Sequence, residues 1–349
     1  MAACFLAGSV VLAADARTEL RRFDAVEPHM GTLVRLVVYT PDARAARAAF
    51  AAGFDRIRDL DAILSDYRAD SELSRLASVP VGYPVRTSDD LFAVLRAAQA
   101  VAEATDGAFD ITLGPVIRLW RDARRSGRPP DAEARAAAAA RSGFRHLTLD
   151  DAQQTVTMGV AGMMLDAGGI GKGYAASEAL AAMARLGVPS ALVAVSGDLA
   201  FSAAPPGTSG WRIALATGRE EDDEARQAVV LEHAAVSTSG ASAQHLDAGG
   251  QRYSHIIEPA SGIGLRDDLT VTVIAPTGAE ADALATAVSV LGVERGLRLL
   301  DARPGVSGAI VVRTAAGPCV CRSTRFPAAP VSTLPSCPTV PLPAAATGT

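Results

Sequence analysis

Four short stretches hold side chains whose types and spacing suit chemistry. The first is Leu165-Asp166-Ala167-Gly168-Gly169-Ile170-Gly171-Lys172-Gly173-Tyr174. Glycines between a strand and a helix let backbone N–H groups approach an anion; the helix N-terminus adds a positive field, and Lys172 a full charge. The spacing is neither a Walker loop nor the Gly-x-Gly-x-x-Gly dinucleotide pattern, and a plain tight turn is the rival reading. The second is Ala281-Asp282-Ala283-Leu284-Ala285-Thr286-Ala287. Asp282 and Thr286 stand i and i+4 on a helix, so a carboxylate and a hydroxyl project from one face among small alanines. Such hard oxygens suit Mg²⁺, which keeps positions for water and phosphate. The rival is an exposed Asp near a helix start and a Thr bonded to the carbonyl one turn back. In the third, Arg252-Tyr253-Ser254-His255-Ile256-Ile257-Glu258-Pro259, His255 is either a general base poised near neutrality or a satisfied structural histidine. The fourth, from Thr105 to Pro115 and on to Trp120, offers small residues, Asp110 and aromatic rings that suit a pocket for a flat ring, or ordinary loop chemistry.

Two other chemistries find less support. His29, His146, His233 and His245 are scattered without zinc-ligand spacing. Val195-Ser196-Gly197-Asp198 and Ser237-Thr238-Ser239-Gly240 each set a serine beside glycine, but neither is Gly-x-Ser-x-Gly. A serine hydrolase would also need His255 and Asp282 in triad roles, although both fit a phosphate site better.

The elements that must carry these groups follow from periodicity. Met30 to Tyr39 is β-branched and partly alternating, a strand. Ala43 to Leu64 has helical apolar spacing and many alanines, and Ser88 to Thr105 is a second helix opened by Ser88-Asp89-Asp90. Residues 121–142, Arg- and Ala-rich around Pro129-Pro130, suit a surface excursion containing a helix. Val156 to Leu165 reads as a strand leading into the glycine turn, followed by a helix over 174–186. Ala191 to Val195, Trp211 to Thr217, Val229 to Ser237 and Thr270 to Ile274 read as further strands. A helix over Ala279 to Leu291 stops at Gly292. Strands and helices intermix without the βαβ beat of a doubly wound sheet, which implies an α+β fold with mixed or antiparallel sheets. There is no internal repeat.

Composition narrows the classes. At 349 residues the chain makes one large domain or two. With 49% hydrophobic and 20% charged residues it can bury a core rather than stay disordered. Lys+Arg number 33 against 38 Asp+Glu, a net charge of −5, so no basic footprint calls for nucleic acid. Past the first dozen residues no apolar run nears the ~20 of a membrane span.

Residues 1–16 read as a remnant of a secretory signal peptide, with an A-x-A-like exit at Ala14-Asp15-Ala16 but no leading Lys or Arg. Cys4 after two alanines is a fragment of a lipoprotein pattern. A periplasmic or exported location, inner-membrane association included, is the expectation. Prolines 327, 330, 335, 338, 341 and 343 suggest a disordered tail over 326–349. Cys319 and Cys321 would bridge each other only with strain and are read as two reduced or incidental thiols.

Taken together the motifs resemble the ApbE family, the FAD:protein FMN transferases. The likeness runs in order from Met30-Gly31-Thr32 through Leu64-Ser65-Asp66-Tyr67, Asp70 to Leu76, Gly107-Ala108-Phe109-Asp110 and Asp166 to Tyr174. It continues through Val236 to Gly240, Ser254 to Pro259, and Ala281 to Thr286. Departures include Ser196-Gly197-Asp198 for the commoner Gly-Gly-Asp, Gly171 where Ala is usual, and Glu258 where Asp is usual.

The resemblance implies an ApbE-like (T-fold-like) domain over 22–315. Its implied activity is transfer of the FMN half of FAD onto a Thr or Ser hydroxyl of a partner protein, with release of AMP. An FAD-binding or flavin-trafficking protein with weak or no FAD pyrophosphatase activity is the alternative. Met30, Tyr67, Ala108, Phe109, Asp110, Asp166, Lys172 and Ile256 would contact FAD. Asp282, Thr286 and the Gly169 carbonyl would hold Mg²⁺, and His255 would help deprotonate the acceptor. The acceptor implied is a subunit of a membrane electron-transfer complex.

Overall fold

The computed structural model describes residues 19–216, 227–240, 245–266, 269–314, 317–328 and 334–337. The signal-like segment 1–16, Cys4 and most of the proline-rich tail lie outside the described residues.

The described residues open with β1 (Arg21–His29), β2 (Thr32–Thr40), α1 (Ala43–Leu64), α2 (Glu72–Leu76), β3 (Val85–Arg86) and α3 (Asp89–Ala104). Next come α4 (Gly114–Ser126), α5 (Ala132–Ala139), a 3-10 turn (Phe144–His146), β4 (Leu147–Asp150), β5 (Thr155–Met158) and α6 (Gly171–Ala184). Strands dominate the following third: β6 (Ser190–Val195), β7 (Asp198–Phe201), β8 (Trp211–Leu215), β9 (Gln227–Leu231), β10 (Ala234–Gly240), β11 (His245–Ala248), β12 (Gln251–Ser254), β13 (Ile257–Glu258), β14 (Ile263–Gly264) and β15 (Leu269–Ala275). α7 (Gly278–Asp301), β16 (Ser307–Thr314) and β17 (Gly317–Arg322) follow.

Eight strands make one antiparallel sheet in the order β1-β2-β6-β7-β10-β15-β16-β17. Alternation assigns its two faces. Val34, Leu36 and Val38 of β2 join Val193, Val271, Val273 and Ile310 beneath the helices, in the main core. Val37, Phe201, Val236 and Ile274 point the other way, where the β8–β9 ribbon covers them with Trp211, Ile213, Leu215 and Val229. α1 buries Ala46, Ala49, Phe54, Ile57, Leu60 and Leu64, one helical stripe. Asp42 caps that helix by accepting from the Arg44 and Ala45 N–H groups.

A second wall stands apart from the sheet. α4 packs Val116, Trp120 and Ala123 against Leu246 and Ile257, and the Trp120 indole donates to the Gly262 carbonyl at 2.7 Å.

The α+β reading with antiparallel sheets agrees with this architecture, but several local expectations differ. Val229 to Ser237 is two strands, β9 and β10, with His233 between them at φ 49°; a continuous apolar run conceals such a break. The strand expected to run to Leu165 ends at Met158. The excursion over 121–142 carries the end of α4 and all of α5, parted by Gly127 in the left-handed region. α7 breaks at Gly292 (φ 73°, ψ −176°) yet resumes to Asp301, because helix can restart where no proline forbids it.

The sheet also passes the domain limit drawn at 315. β17 pairs with β16, and the Val320 N–H donates to the Pro335 carbonyl while the Cys337 N–H donates to that of Val320. Leu334 is buried against β17, so this part of the proline-rich stretch is ordered. Cys319 is bonded to Cys337, not reduced; its partner lay 18 residues on, and only the returning backbone brings the two together. Cys321 is free.

Candidate active site

A cleft of about 1760 Å³ opens between the sheet's helical layer and the α4 wall. Its floor is where α6 and α7 cross. Gly173 and Gly278 meet there backbone to backbone: a Cβ on either would lie 2.0 or 1.9 Å from the other's carbonyl oxygen. Only glycine permits that approach. The closeness sets Asp282, one turn into α7, against the start of α6. Its Oδ2 accepts from the Gly173 N–H at 3.1 Å, doing for α6 what a capping side chain would do, since Ile170 at the cap position has no polar group.

Asp282 is 3% exposed. Burial, and then the charge of Asp198, push its carboxyl up to about 7, against the pull of Lys172. Lys172 stands between the two acids. Its Nζ is 3.4 Å from Asp198 Oδ2 and 4.0 Å from Asp282 Oδ2, and donates to the Gly168 carbonyl at 2.9 Å. Asp282, helped by Asp198 and opposed by burial, holds the ammonium well above the ordinary lysine range. Asp198 opens β7 opposite Ser237 of β10, whose hydroxyl donates to its Oδ1 at 2.5 Å. Two buried acids thus share one ammonium in this corner.

Thr286 lies one turn beyond Asp282. A Cβ on Gly169 would come 3.0 Å from Thr286 Oγ1 and 3.3 Å from the Phe109 ring, so the glycine turn, the hydroxyl and the aromatic ring form a cradle that a side chain would fill. Ser289, on the same helix, does bond back to a carbonyl, that of Ala285.

At the other end Asp166 accepts from the Gly168 N–H at 2.8 Å and from Arg121 Nη2 at 2.7 Å. Arg121 Nη1 also pairs with Asp66, and its guanidinium lies 4.2 Å from the centre of the Tyr67 ring. Burial, then the neighbouring Asp66, push Asp166 up to about 7, with Arg121 opposing. Tyr67 is 77% exposed at the rim.

All twelve residues singled out from the sequence line this cleft: Met30, Tyr67, Ala108, Phe109, Asp110, Asp166, Gly169, Lys172, His255, Ile256, Asp282 and Thr286. Met30 is at the tip of the β1–β2 hairpin, φ 49°, with Gly31 at 70°, a two-residue turn with both φ values positive. His255 and Ile256 sit between β12 and β13, where the Ile256 N–H donates to Ser254 Oγ at 3.1 Å and its carbonyl accepts from Leu265. Asp110 is committed to donors from its own loop and from the turn at Phe144. It accepts from Thr112 N–H and Oγ1 and from the Phe144 N–H, and burial raises its pKa. Trp120, grouped with that pocket on sequence, is buried behind the wall instead.

Arg121 joins the site although sequence reading gave it no part, and so do Asp198 and Ser237, which lay within segments noted from the sequence but were assigned no role. Arg121 hides in an arginine-rich run; Asp198 follows Ser196, whose φ of 58° marks a tight turn.

A family model described as the ApbE family matches residues 30–310, well over half of the sequence. The chain belongs to the ApbE family. It is similar to the FAD:protein FMN transferase of Treponema pallidum (strain Nichols), 32% identical over 335 residues, or 90% of this chain and 92% of that one. The FAD:protein FMN transferase of Escherichia coli (strain K12) is 32% identical over 240 residues, 67% and 68% of the two chains. Among solved structures, the apo flavinyl transferase ApbE of Pseudomonas stutzeri superposes with a TM-score of 0.76 at 31% identity, covering 88% of this chain and 96% of that one. The flavin transferase ApbE of Vibrio cholerae gives 0.78 at 26%, covering 88% and 98%. The cleft described above falls within the stretch that the ApbE family model spans.

Proposed function

We propose that this ApbE-family chain is a flavin transferase that splits FAD and moves the FMN half onto a Thr or Ser hydroxyl of a partner protein, releasing AMP. The observation that carries the reading is the convergence of Lys172, Asp282 and Thr286 on the glycine turn, inside one cleft large enough for a dinucleotide.

The roles follow from charge. Among the described residues there is no group of three or more His, Cys, Asp or Glu suited to a metal, but a hard divalent ion asks for a different set. Asp282, the Thr286 hydroxyl and the Gly169 carbonyl supply oxygens, and a divalent ion bound there would draw the Asp282 carboxyl into its ionised form. These residues would hold Mg²⁺, which when bound supplies a Lewis acid for the diphosphate. Lys172 places a full positive charge beside that diphosphate, so repulsion of the incoming hydroxyl oxygen falls. The N–H groups at the start of α6 add their field. Tyr67, steadied by Arg121, and Phe109 give flat apolar surface to a ring system. Met30, Ala108 and Ile256 close it from water, and Asp166 offers a polar edge. His255 on the same wall accepts the proton of the acceptor hydroxyl as the phosphorus–oxygen bond forms and the bond to AMP breaks.

An acceptor in a membrane electron-transfer complex and an exported location belong to the same proposal. The Cys319–Cys337 bond suits an oxidising compartment.

Asp282→Asn tests the reading. The amide oxygen can still accept from the Gly173 N–H while the charge is lost, and a Tm near that of wild type checks that the variant folds. Metal-stimulated AMP release and FMN transfer should fall about 10²–10⁴-fold, at 1.4 kcal/mol per decade. Rates within threefold of wild type would sink it.

A further inference from the structure

One stretch of the cleft wall has no part in the nucleotide reading. The cleft's volume of about 1760 Å³ exceeds the roughly 300–1,000 Å³ usual for one small ligand. On β8 and just past it, Ile213, Ala214, Leu215 and Ala216 line it in unbroken succession. Successive strand side chains point to opposite faces, so a cavity against one face would touch alternate residues. Four in a row place the cleft along the strand's edge.

That edge is the one away from β9. β9 pairs with β8 from Trp211↔Leu231 to Leu215↔Gln227, and none of its described residues lines the cleft. Ile213 and Leu215 point into the apolar layer under the sheet, whereas Ala214 and Ala216 are exposed. Among the described residues, the backbone of 212–216 bonds to β9 and to nothing else. The same cleft is lined by the end of β10, Ser237 to Gly240; β7 accompanies β10 only as far as Ser237, the residue bonded to Asp198. The open edge of β8 thus leads to the corner that holds Lys172.

We propose that this edge docks the acceptor polypeptide, bound as an extended segment that adds a third strand to the β8–β9 ribbon. The inference rests on the transfer reading above and names how its second substrate enters. A hydroxyl on a folded partner reaches phosphorus inside a cleft only if the chain around it is drawn out, and an open strand edge offers such a chain a row of backbone partners. Backbone pairing is indifferent to side chains, so selection falls to space. Ala214 and Ala216 leave room for small neighbours of the hydroxyl, and a bulky residue beside it would meet the β10 wall.

Amide hydrogen exchange of the full-length chain, resolved by residue, tests this. The probe is a recombinant flavin-acceptor domain of a membrane electron-transfer complex, first assayed for covalent FMN gain with this enzyme, FAD and Mg²⁺. Without acceptor, the amides of 212–216 that point away from β9 should exchange freely, with or without FAD and at any protein concentration, while those bonded to β9 stay slow. With acceptor, alternate amides of this stretch should slow by about tenfold or more, and N-methylation of an acceptor-derived peptide beside its threonine should abolish the effect. FMN gain without slowing on β8 overturns the docking site and leaves the transfer reading standing. No FMN gain overturns the transfer reading, and the docking site with it. Slow exchange of the outward-pointing amides in the free enzyme means that the chain covers its own edge, and slowing of them that grows with enzyme concentration means that a second copy does; either refutes the proposal.

Discussion

Gly278→Ala should cost this enzyme far more activity than its single added methyl suggests. The new Cβ would lie 1.9 Å from the Gly173 carbonyl oxygen and 2.9 Å from Ser177 Oγ. A comfortable carbon–oxygen contact is about 3.3 Å, so α6 and α7 must part by about 1.4 Å. The obstacle is backbone, which no rotamer change relieves. Such overpacking costs about 1–3 kcal/mol, or roughly 2–12 °C in Tm at the 2–4 °C per kcal/mol of a domain near this size. The same movement opens the 3.1 Å bond from Gly173 to Asp282 and widens the 4.0 Å gap from Lys172. A displacement of about 1 Å at reacting groups costs about 10²-fold in rate. Differential scanning fluorimetry gives the first quantity, and AMP release with FMN gain on the acceptor gives the second. A variant with wild-type Tm and a rate within twofold of wild type would show that the glycine crossing does not position the site.

Arg121→Met leaves Asp66 and buried Asp166 without their shared cation and should cost about 3–5 kcal/mol in urea unfolding. Arg68→Met, whose pair with Asp70 is exposed, should cost under about 1 kcal/mol; equal losses would contradict the burial argument. Asp166, raised to about 7 chiefly by burial, favours the folded state while protonated. Its stabilising effect is present below about pH 4, where the unfolded chain also holds the proton, and fades as pH rises through 7. The Tm of Asp166→Asn relative to wild type should therefore climb between pH 4 and 7 and level off above; a flat difference would mean that Asp166 does not titrate there. Cys337→Ser opens a loop of 18 residues and should lower stability under oxidising conditions by about 3 kcal/mol, the loop-entropy value near that length. No change would mean that the segment from Leu334 to Cys337 holds without the bond.

Much of the site was legible because its signals are local. Asp282 and Thr286 share a face through the helical repeat alone, and the glycines before Lys172 announce a turn leading into a helix. α1 coincides with its expected limits because its stripe, its alanines and the Asp42 cap agree. Local agreement fails where the decisive partner is distant. Nothing near Asp198 or Arg121 says that one will share Lys172 with Asp282, or that the other will bridge two acids across the cleft. The Cys319 bond, the ordering of Leu334 on β17 and the split of Val229 to Ser237 into two strands depend on what the backbone meets after folding.

The sequence by itself determined the long helices, the strands with a clear period and which chemical groups are available, since helix and strand periods, turn glycines and residue types act over a few positions. Tertiary structure alone decided that α6 and α7 touch at Gly173 and Gly278, and that Asp282 therefore both caps one helix and faces Lys172. The reason is range. Chain-local energies act over a turn or two, whereas electrostatics and packing at the cleft act across ångströms between residues more than a hundred positions apart.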